Sequence, residues 1–261
     1  MIIDTHAHIY PDKIALRASK SIEAFYDLEV VDDGTVGRLL AEGAEAGVDR
    51  FLVHSVATTP EQVERINDFI AATVSSMPDH FVGFCAMHQD YSDPGPELDR
   101  MLAHGIKGIK LHPDFQRFNI DDACIYPVYL AAIERNMPIL IHLGDHRYEY
   151  SKAERLARVL DRFPELTVIG AHLGGWSEWD HAAAVLKGSG IYVDTSSSLA
   201  FMTPEHACEL IHTYGADHVL FASDYPMWRP KDELARFMKI PLTEAECDLI
   251  LHANAERLLG L

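Results

Sequence analysis

Seven histidines and one aspartate fall where short apolar runs end, and residues of those types at those places can hold a divalent cation. His6 and His8 close the first run. His54, His88, His112, His142 and His172 close the next five, and Asp224 closes the eighth. Side chains alternate along an extended chain, so His6-Ala7-His8 directs both imidazoles to one side. Two such imidazoles can chelate one cation, and neutral imidazole suits zinc, iron, cobalt or nickel. By itself, His-x-His also describes a packed or surface pair. His142, His172 and Asp224 at later run ends turn the pair into a ligand set, and three protein ligands plus water is the usual catalytic-zinc arrangement. Asp4 shares the parity of His6 and His8, and could orient a ligand imidazole from behind or serve as a hydrogen-bonded strand carboxylate.

These residues need elements that bring run ends together. Apolar runs at 2–9, 48–56, 81–87, 106–112, 138–143, 166–172, 191–194 and 218–224 are nearly continuous rather than alternating, as in parallel strands covered on both faces. Helical patterns lie between them at 35–46, 60–74, 97–104, 126–135, 152–163, 179–186 and 204–214, and a last one spans 243–259. Thr59 before Pro60 reads as an N-cap, Gly47 as a stop, and Thr243 to Glu246 as a capping box. No linker divides the chain, so residues 1–261 are read as one domain. Eight strand–helix units in 261 residues predict an α/β fold, a (β/α)8 TIM barrel, ahead of a doubly wound open sheet. In a barrel, all carboxyl ends of the strands converge on one face. The connection over 10–34 is oversized. It reads either as a lid carrying Tyr10, Phe25 and Tyr26, or as an extra surface helix from Asp12 to Ser21 that touches no ligand.

With 22 Lys+Arg against 40 Asp+Glu, the net charge is −18. That argues against a nucleic-acid partner and against an anionic membrane surface. No apolar run approaches the roughly 20 residues of a bilayer span. The first residues enter an apolar segment directly, with no signal-peptide pattern. Cys85, Cys124, Cys208 and Cys247 form no Cys-x-x-Cys pair. The expectation is a reduced, cytoplasmic protein that takes a small-molecule substrate, alone or as a homodimer or higher homo-oligomer.

Several motifs together resemble the amidohydrolase superfamily of metal-dependent barrel enzymes. They are His6-x-His8, Ile141-His142, Ala171-His172 and Ser223-Asp224-Tyr225-Pro226. The Lys-Leu-His-Pro sequence ending at Pro113, the Gly-Ala-His-Leu-Gly-Gly sequence ending at Gly175, and the segment Asn254 to Leu258 are similar to the amidohydrolase-related branch. That branch includes aminocarboxymuconate semialdehyde decarboxylase, other decarboxylases, hydratases and lactone hydrolases. The resemblance runs from residue 2 to 259. It implies one divalent metal held by His6, His8, His142 and Asp224, with His172 facing the substrate or the metal-bound water. Zinc (Zn2+) is the first expectation, with manganese, iron, cobalt and nickel as alternatives. Binuclear members of the superfamily use a carboxylated lysine from the fourth strand. Lys110 could play that part with a second metal, but its local motif resembles the mononuclear branch, so one metal is preferred.

Arg117 and Arg147 follow the fourth and fifth strands, and each could fork onto a substrate carboxylate or form a plain loop salt bridge. Tyr148, Trp176 and Trp228 could wall the pocket. The histidines at 80, 104, 181, 206, 212, 218 and 252 read as surface residues. The leading expectation is hydrolysis of an amide, ester or lactone by cation-activated water. Asp224 would shuttle the proton, and His172 with Lys110 or His112 would stabilise the oxyanion. The alternative is non-oxidative decarboxylation of an aromatic or muconate acid, with Asp224 or His172 protonating carbon. A metal-binding scaffold without turnover is a third, weaker reading.

Overall fold

Each apolar run supplies one parallel strand. In the computed structural model, which describes residues 1–261, these are β1 (Ile3–His8), β2 (Arg50–His54), β3 (Phe81–Ala86) and β4 (Gly108–Leu111). The second half adds β5 (Ile139–Ile141), β6 (Val168–Gly170), β7 (Tyr192–Asp194) and β8 (Val219–Leu220). Neighbours pair in sequence order from β1 to β8. The Thr5 amide donates to the Phe221 carbonyl at 2.9 Å, the Asp224 amide to the His6 carbonyl at 2.9 Å, and the His8 amide to the Tyr225 carbonyl at 2.7 Å. The chain after β8 therefore meets β1. The sheet curls into a barrel, and the open-sheet alternative falls away.

Twelve α-helices surround it: α1 (Asp12–Tyr26), α2 (Val36–Ala46), α3 (Val63–Ser76), α4 (Pro94–Ala103), α5 (Pro113–Gln116) and α6 (Tyr126–Glu134), then α7 (Ala153–Arg162), α8 (Trp179–Leu186), α9 (Pro204–Tyr214), α10 (Pro230–Phe237), α11 (Glu244–Asp248) and α12 (Asn254–Leu259). Gly47 ends α2 in the left-handed region at φ 76°, with its amide on the Gly43 carbonyl. The capping box at Thr243 and Glu246 is formed.

Four expectations need correction. Thr59 accepts no capping hydrogen bond, because residues 60–62 form a 3-10 turn before α3 begins. The last helix is not continuous, since a π turn at Leu249–Ala253 separates α11 from α12. Helix α10 was not anticipated, although Pro230 at its start and Asp232 and Glu233 in its first turn are ordinary start signals. The long first connection is mostly helix. Ala15, Ser19 and Ile22 recur at helical spacing and are the buried face of α1, which runs past Ser21 to Tyr26.

The larger apolar cluster packs helices onto the sheet. A smaller one gathers Leu52, Phe84, Leu140, Ile169 and Leu220 of the strands with Ala255 and Leu259 of α12. No helix is long and apolar enough to cross a membrane.

Candidate metal centre

His6, His8, Lys110, His112, His142, His172 and Asp224 line one pocket, as convergence of strand ends requires. His6 Nε2 lies 3.3 Å from His8 Nε2. Asp224 Oδ1 lies 3.3 Å from His6 Nε2 and 3.5 Å from His8 Nε2. A tetrahedral shell with bonds of about 2.0–2.1 Å has ligand–ligand edges of about 3.3–3.4 Å. The three separations match that edge. A cation among the three would take the lone pairs of both imidazoles and the charge of the carboxylate, so the donor set fits a divalent cation.

Neighbours decide which nitrogen faces the centre. Asp194 Oδ2 lies 2.9 Å from His6 Nδ1, so Nδ1–H donates to it and Nε2 keeps its lone pair. Asp194 Oδ1 accepts the backbone amides of His172 at 3.0 Å and Ser196 at 3.1 Å. The Ser196 carbonyl can only accept, so His172 Nδ1–H donates to it at 3.0 Å. His172 Nε2 then accepts from His142 Nδ1–H at 2.9 Å, which leaves His142 Nε2 with a lone pair. That atom sits 3.3 Å from Asp114 Oδ2. His142 thus lines the same pocket as His6, His8 and Asp224 while its own contacts are to His172 and Asp114.

Burial holds the imidazoles of His6, His8, His54, His112 and His142 below their ordinary pKa, so they stay neutral, as ligands must. Burial opposes ionisation of Asp224, but the imidazoles of His6, His8 and His172 outweigh it, and the carboxyl is held below the usual range. Lys110 Nζ donates to His6 Nε2 at 3.2 Å, and burial lowers its pKa to about 8.

Backbone strain concentrates here. His172, Ser197 and Asp224 have φ of 61°, 47° and 65°, a region that costs a residue with Cβ about 1–2 kcal/mol. The other oxygen of Asp224, Oδ2, accepts from Ser197 Oγ at 2.5 Å, and Ser197 Oγ accepts from Trp228 Nε1–H at 2.9 Å. Trp228 therefore reaches the centre through Ser197.

The remaining expected residues are placed as follows. Trp176 lines a small adjoining pocket with Tyr26, His142 and Asp224. The Arg147 guanidinium is held by Asp145 at 2.7 Å and by the Phe25 carbonyl at 2.6 Å. Tyr148 stacks on Phe25 at 5.4 Å. Arg117 is exposed and lines a different cavity. His88 lies outside the pocket, with its Nδ1 3.2 Å from the Asp90 amide. Asp4 does not orient an imidazole, because its Oδ1 accepts the amides of His6 at 3.2 Å and Ser223 at 2.9 Å.

Sequence reasoning missed four groups. Asp194 is the imidazole-orienting carboxylate, and its position at the carboxyl end of β7 was the available signal. Ser197 and Asp114 had no such signal. His54 was seen as a run end only, yet its ring packs edge-on to His6 and His8 with centroids 4.8 and 4.4 Å away. Both of its ring nitrogens are buried without a partner. The end of α1 brings Tyr26 over the site, with its hydroxyl 2.8 Å from His112 Nε2. This corrects the reading of a surface helix remote from the centre.

The fold recurs in known proteins. A decarboxylase, orsB, of Emericella nidulans is 25% identical over 249 residues, covering 74% of each chain. An uncharacterised TIM-barrel protein of Bordetella bronchiseptica superposes with TM-score 0.79 at 23% identity, over 99% of this chain and 98% of that one. The 5-carboxyvanillate decarboxylase of Novosphingobium aromaticivorans, complexed with manganese and 4-hydroxy-3-methoxy-5-nitrobenzoic acid, superposes with TM-score 0.78 at 18% identity, over 100% and 96%. Where these proteins have a named activity, it is decarboxylation, which overturns hydrolysis as the leading expectation and favours the alternative. A divalent metal is supported, but zinc in particular is not. The sequence model of the amidohydrolase family matches residues 3–261, and the chain belongs to that family.

Proposed function

We propose that this chain is a metal-dependent, non-oxidative decarboxylase of an aromatic or muconate-type acid. The observation that carries the reading is the cluster of His6, His8 and Asp224 around one point, within a barrel similar over its whole length to a decarboxylase. His6, His8, Asp224 and His142 through Nε2 would hold a single divalent cation, with manganese and zinc the first to test. Once bound, it would polarise a substrate oxygen and stabilise negative charge.

The chain's own residues supply the rest. Decarboxylation adds a proton to the carbon bearing the carboxylate. The carbon–carbon bond then breaks, its electron pair returns to the substrate, and carbon dioxide leaves. The acid must be buried and aimed. His172 is both: its Nδ1–H is fixed on the Ser196 carbonyl, and its Nε2, the acceptor of His142 Nδ1–H in the resting site, would take up a proton before passing it to the carbon. Asp224, held anionic by its surroundings and oriented by Ser197, relays the proton as a base. Lys110, unmodified, places an ammonium group beside His6. Tyr26, above His112 and His142, excludes water from the reacting carbon.

The test is release of labelled carbon dioxide from 2,6-dihydroxybenzoate, 5-carboxyvanillate and a muconate acid by protein loaded with manganese or zinc. Asp224→Asn should lower the rate by about 10²–10⁴-fold. No release from any of these acids, with acid release from lactones instead, would overturn the reading.

A further inference from the structure

The register of β1 against β2 pairs His8 with His54. Side chains of paired residues on neighbouring strands leave the sheet on the same side, and the His8 ring lines the pocket. The His54 ring therefore points into the barrel at the level of His8. The Ile9 amide donates to the His54 carbonyl at 3.1 Å, which fixes that level. The ring is fully buried, yet neither of its nitrogens has a partner. The imidazoles of His6, His112, His142 and His172 around it each hold a hydrogen-bond partner.

The two nitrogens of His54 have different needs. A neutral imidazole carries one N–H and one lone pair. His54 packs edge-on with the rings of His6 and His8, and a ring face can accept an N–H weakly. A ring face cannot donate, so the lone pair is left without a partner. Folded proteins seldom keep such a group unpaired without a ligand or a function to account for it.

A cation meets the need of the lone pair. One nitrogen from each of His6, His8 and His54 lies within 4.8 Å of the other two. Donors about 2.0–2.1 Å from one cation stand at most about 4.2 Å apart, so a movement of well under about 1 Å brings His54 into one shell with His6 and His8. We propose that His54 is a further ligand of the cation that His6, His8 and Asp224 surround, added to His142. This rests on the metal-dependent reading of the site, whichever acid loses its carboxylate. An imidazole then stands where a site without it would hold water. A buried water between His54 and His8 Nδ1, which also lacks a partner, is the rival occupant.

The experiment is a manganese titration of the metal-stripped full chain, with free manganese read by electron paramagnetic resonance, on the parent, His54→Phe and His54→Leu. Phenylalanine keeps an aromatic ring for the edge-on packing and removes both nitrogens. His54→Phe should bind manganese at least about tenfold more weakly than the parent, since loss of a partner that only orients a ligand already does as much. Its metal-free Tm should equal or exceed the parent's, because an unpaired buried group is gone. Pulsed resonance of the bound manganese should count one coupled imidazole fewer. His54→Leu, of similar volume and with no donor atom, should weaken binding as much, and it carries the test if His54→Phe does not fold. Unchanged manganese affinity in the variants overturns the proposal and gives the unpaired nitrogens to water. Weaker binding with a lowered metal-free Tm and an unchanged imidazole count also overturns it, and makes His54 a packing residue. A parent that binds no manganese overturns it together with the metal-dependent reading, whereas a parent that binds and variants that bind equally well overturn this proposal alone.

Discussion

Replacing Ser197 by alanine removes one hydroxyl and strands two groups. Ser197 Oγ donates to Asp224 Oδ2 at 2.5 Å and accepts from Trp228 Nε1–H at 2.9 Å. A hydrogen bond to a charged group contributes about 1.5–3 kcal/mol, and an indole N–H left unpaired costs about 1–3 kcal/mol. Trp228 is only partly buried, so water relieves some of the second cost. Ser197→Ala should therefore destabilise the protein by about 2–4 kcal/mol, or roughly 5–15 °C in Tm for a chain of this size. The loss of one anchor on Asp224 should also lower cation affinity about 10–100-fold, the usual effect of removing a partner that orients a ligand. Trp228→Phe removes only the indole donor and should cost about 1 kcal/mol. Because the two changes break one chain of contacts, the double variant should be less destabilised than the sum. Urea unfolding of all four proteins, with competition against a chelator for the cation, measures each quantity. A stability change under about 0.5 kcal/mol with unchanged cation affinity would refute the reasoning, because surface substitutions without partners behave that way.

Three further outcomes are expected. Gly144 has φ 85°, and a Cβ there would lie 2.4 Å from the Trp176 amide nitrogen, so Gly144→Ala should cost more than about 2 kcal/mol and shift the Trp176 fluorescence as the two mouth loops part. Asp121 accepts from Arg155 at 2.6 Å and Arg158 at 2.8 Å; burial opposes its ionisation, the two arginines outweigh it, and its pKa is lowered on folding. That stability is therefore present above the unfolded carboxylate pKa and lost as pH falls, so Asp121→Asn should be about 1 kcal/mol less stable at neutral pH, with the gap closing in urea melts below about pH 3. Removal of metal by chelation should lower Tm, and manganese at about 100 times its Kd should restore about 2.7 kcal/mol, an effect that His6→Ala should abolish in thermal melts.

The contents of the pocket were legible because the rule behind them is local. Alternation along β1 places His6 and His8 on one side whatever surrounds them, and eight apolar runs with helices between them leave few arrangements other than a barrel. Given a barrel, Lys110, His142, His172 and Asp224 must meet at its mouth. The partners of those residues were not legible, because a hydrogen bond between His6 and Asp194 joins positions 188 residues apart and depends on the tilt of β1 against β7. Parity marked Asp4 as inward, but only the packed barrel showed that its carboxylate is taken by backbone amides. The same holds for Ser197, which earns its contact with Asp224 from a left-handed backbone that no spacing announces. Arg117 and Arg147 looked equivalent as loop arginines. Arg147 takes the carboxylate of Asp145 two residues away, and only the fold brought the Phe25 carbonyl to it and left Arg117 unpaired at a cavity.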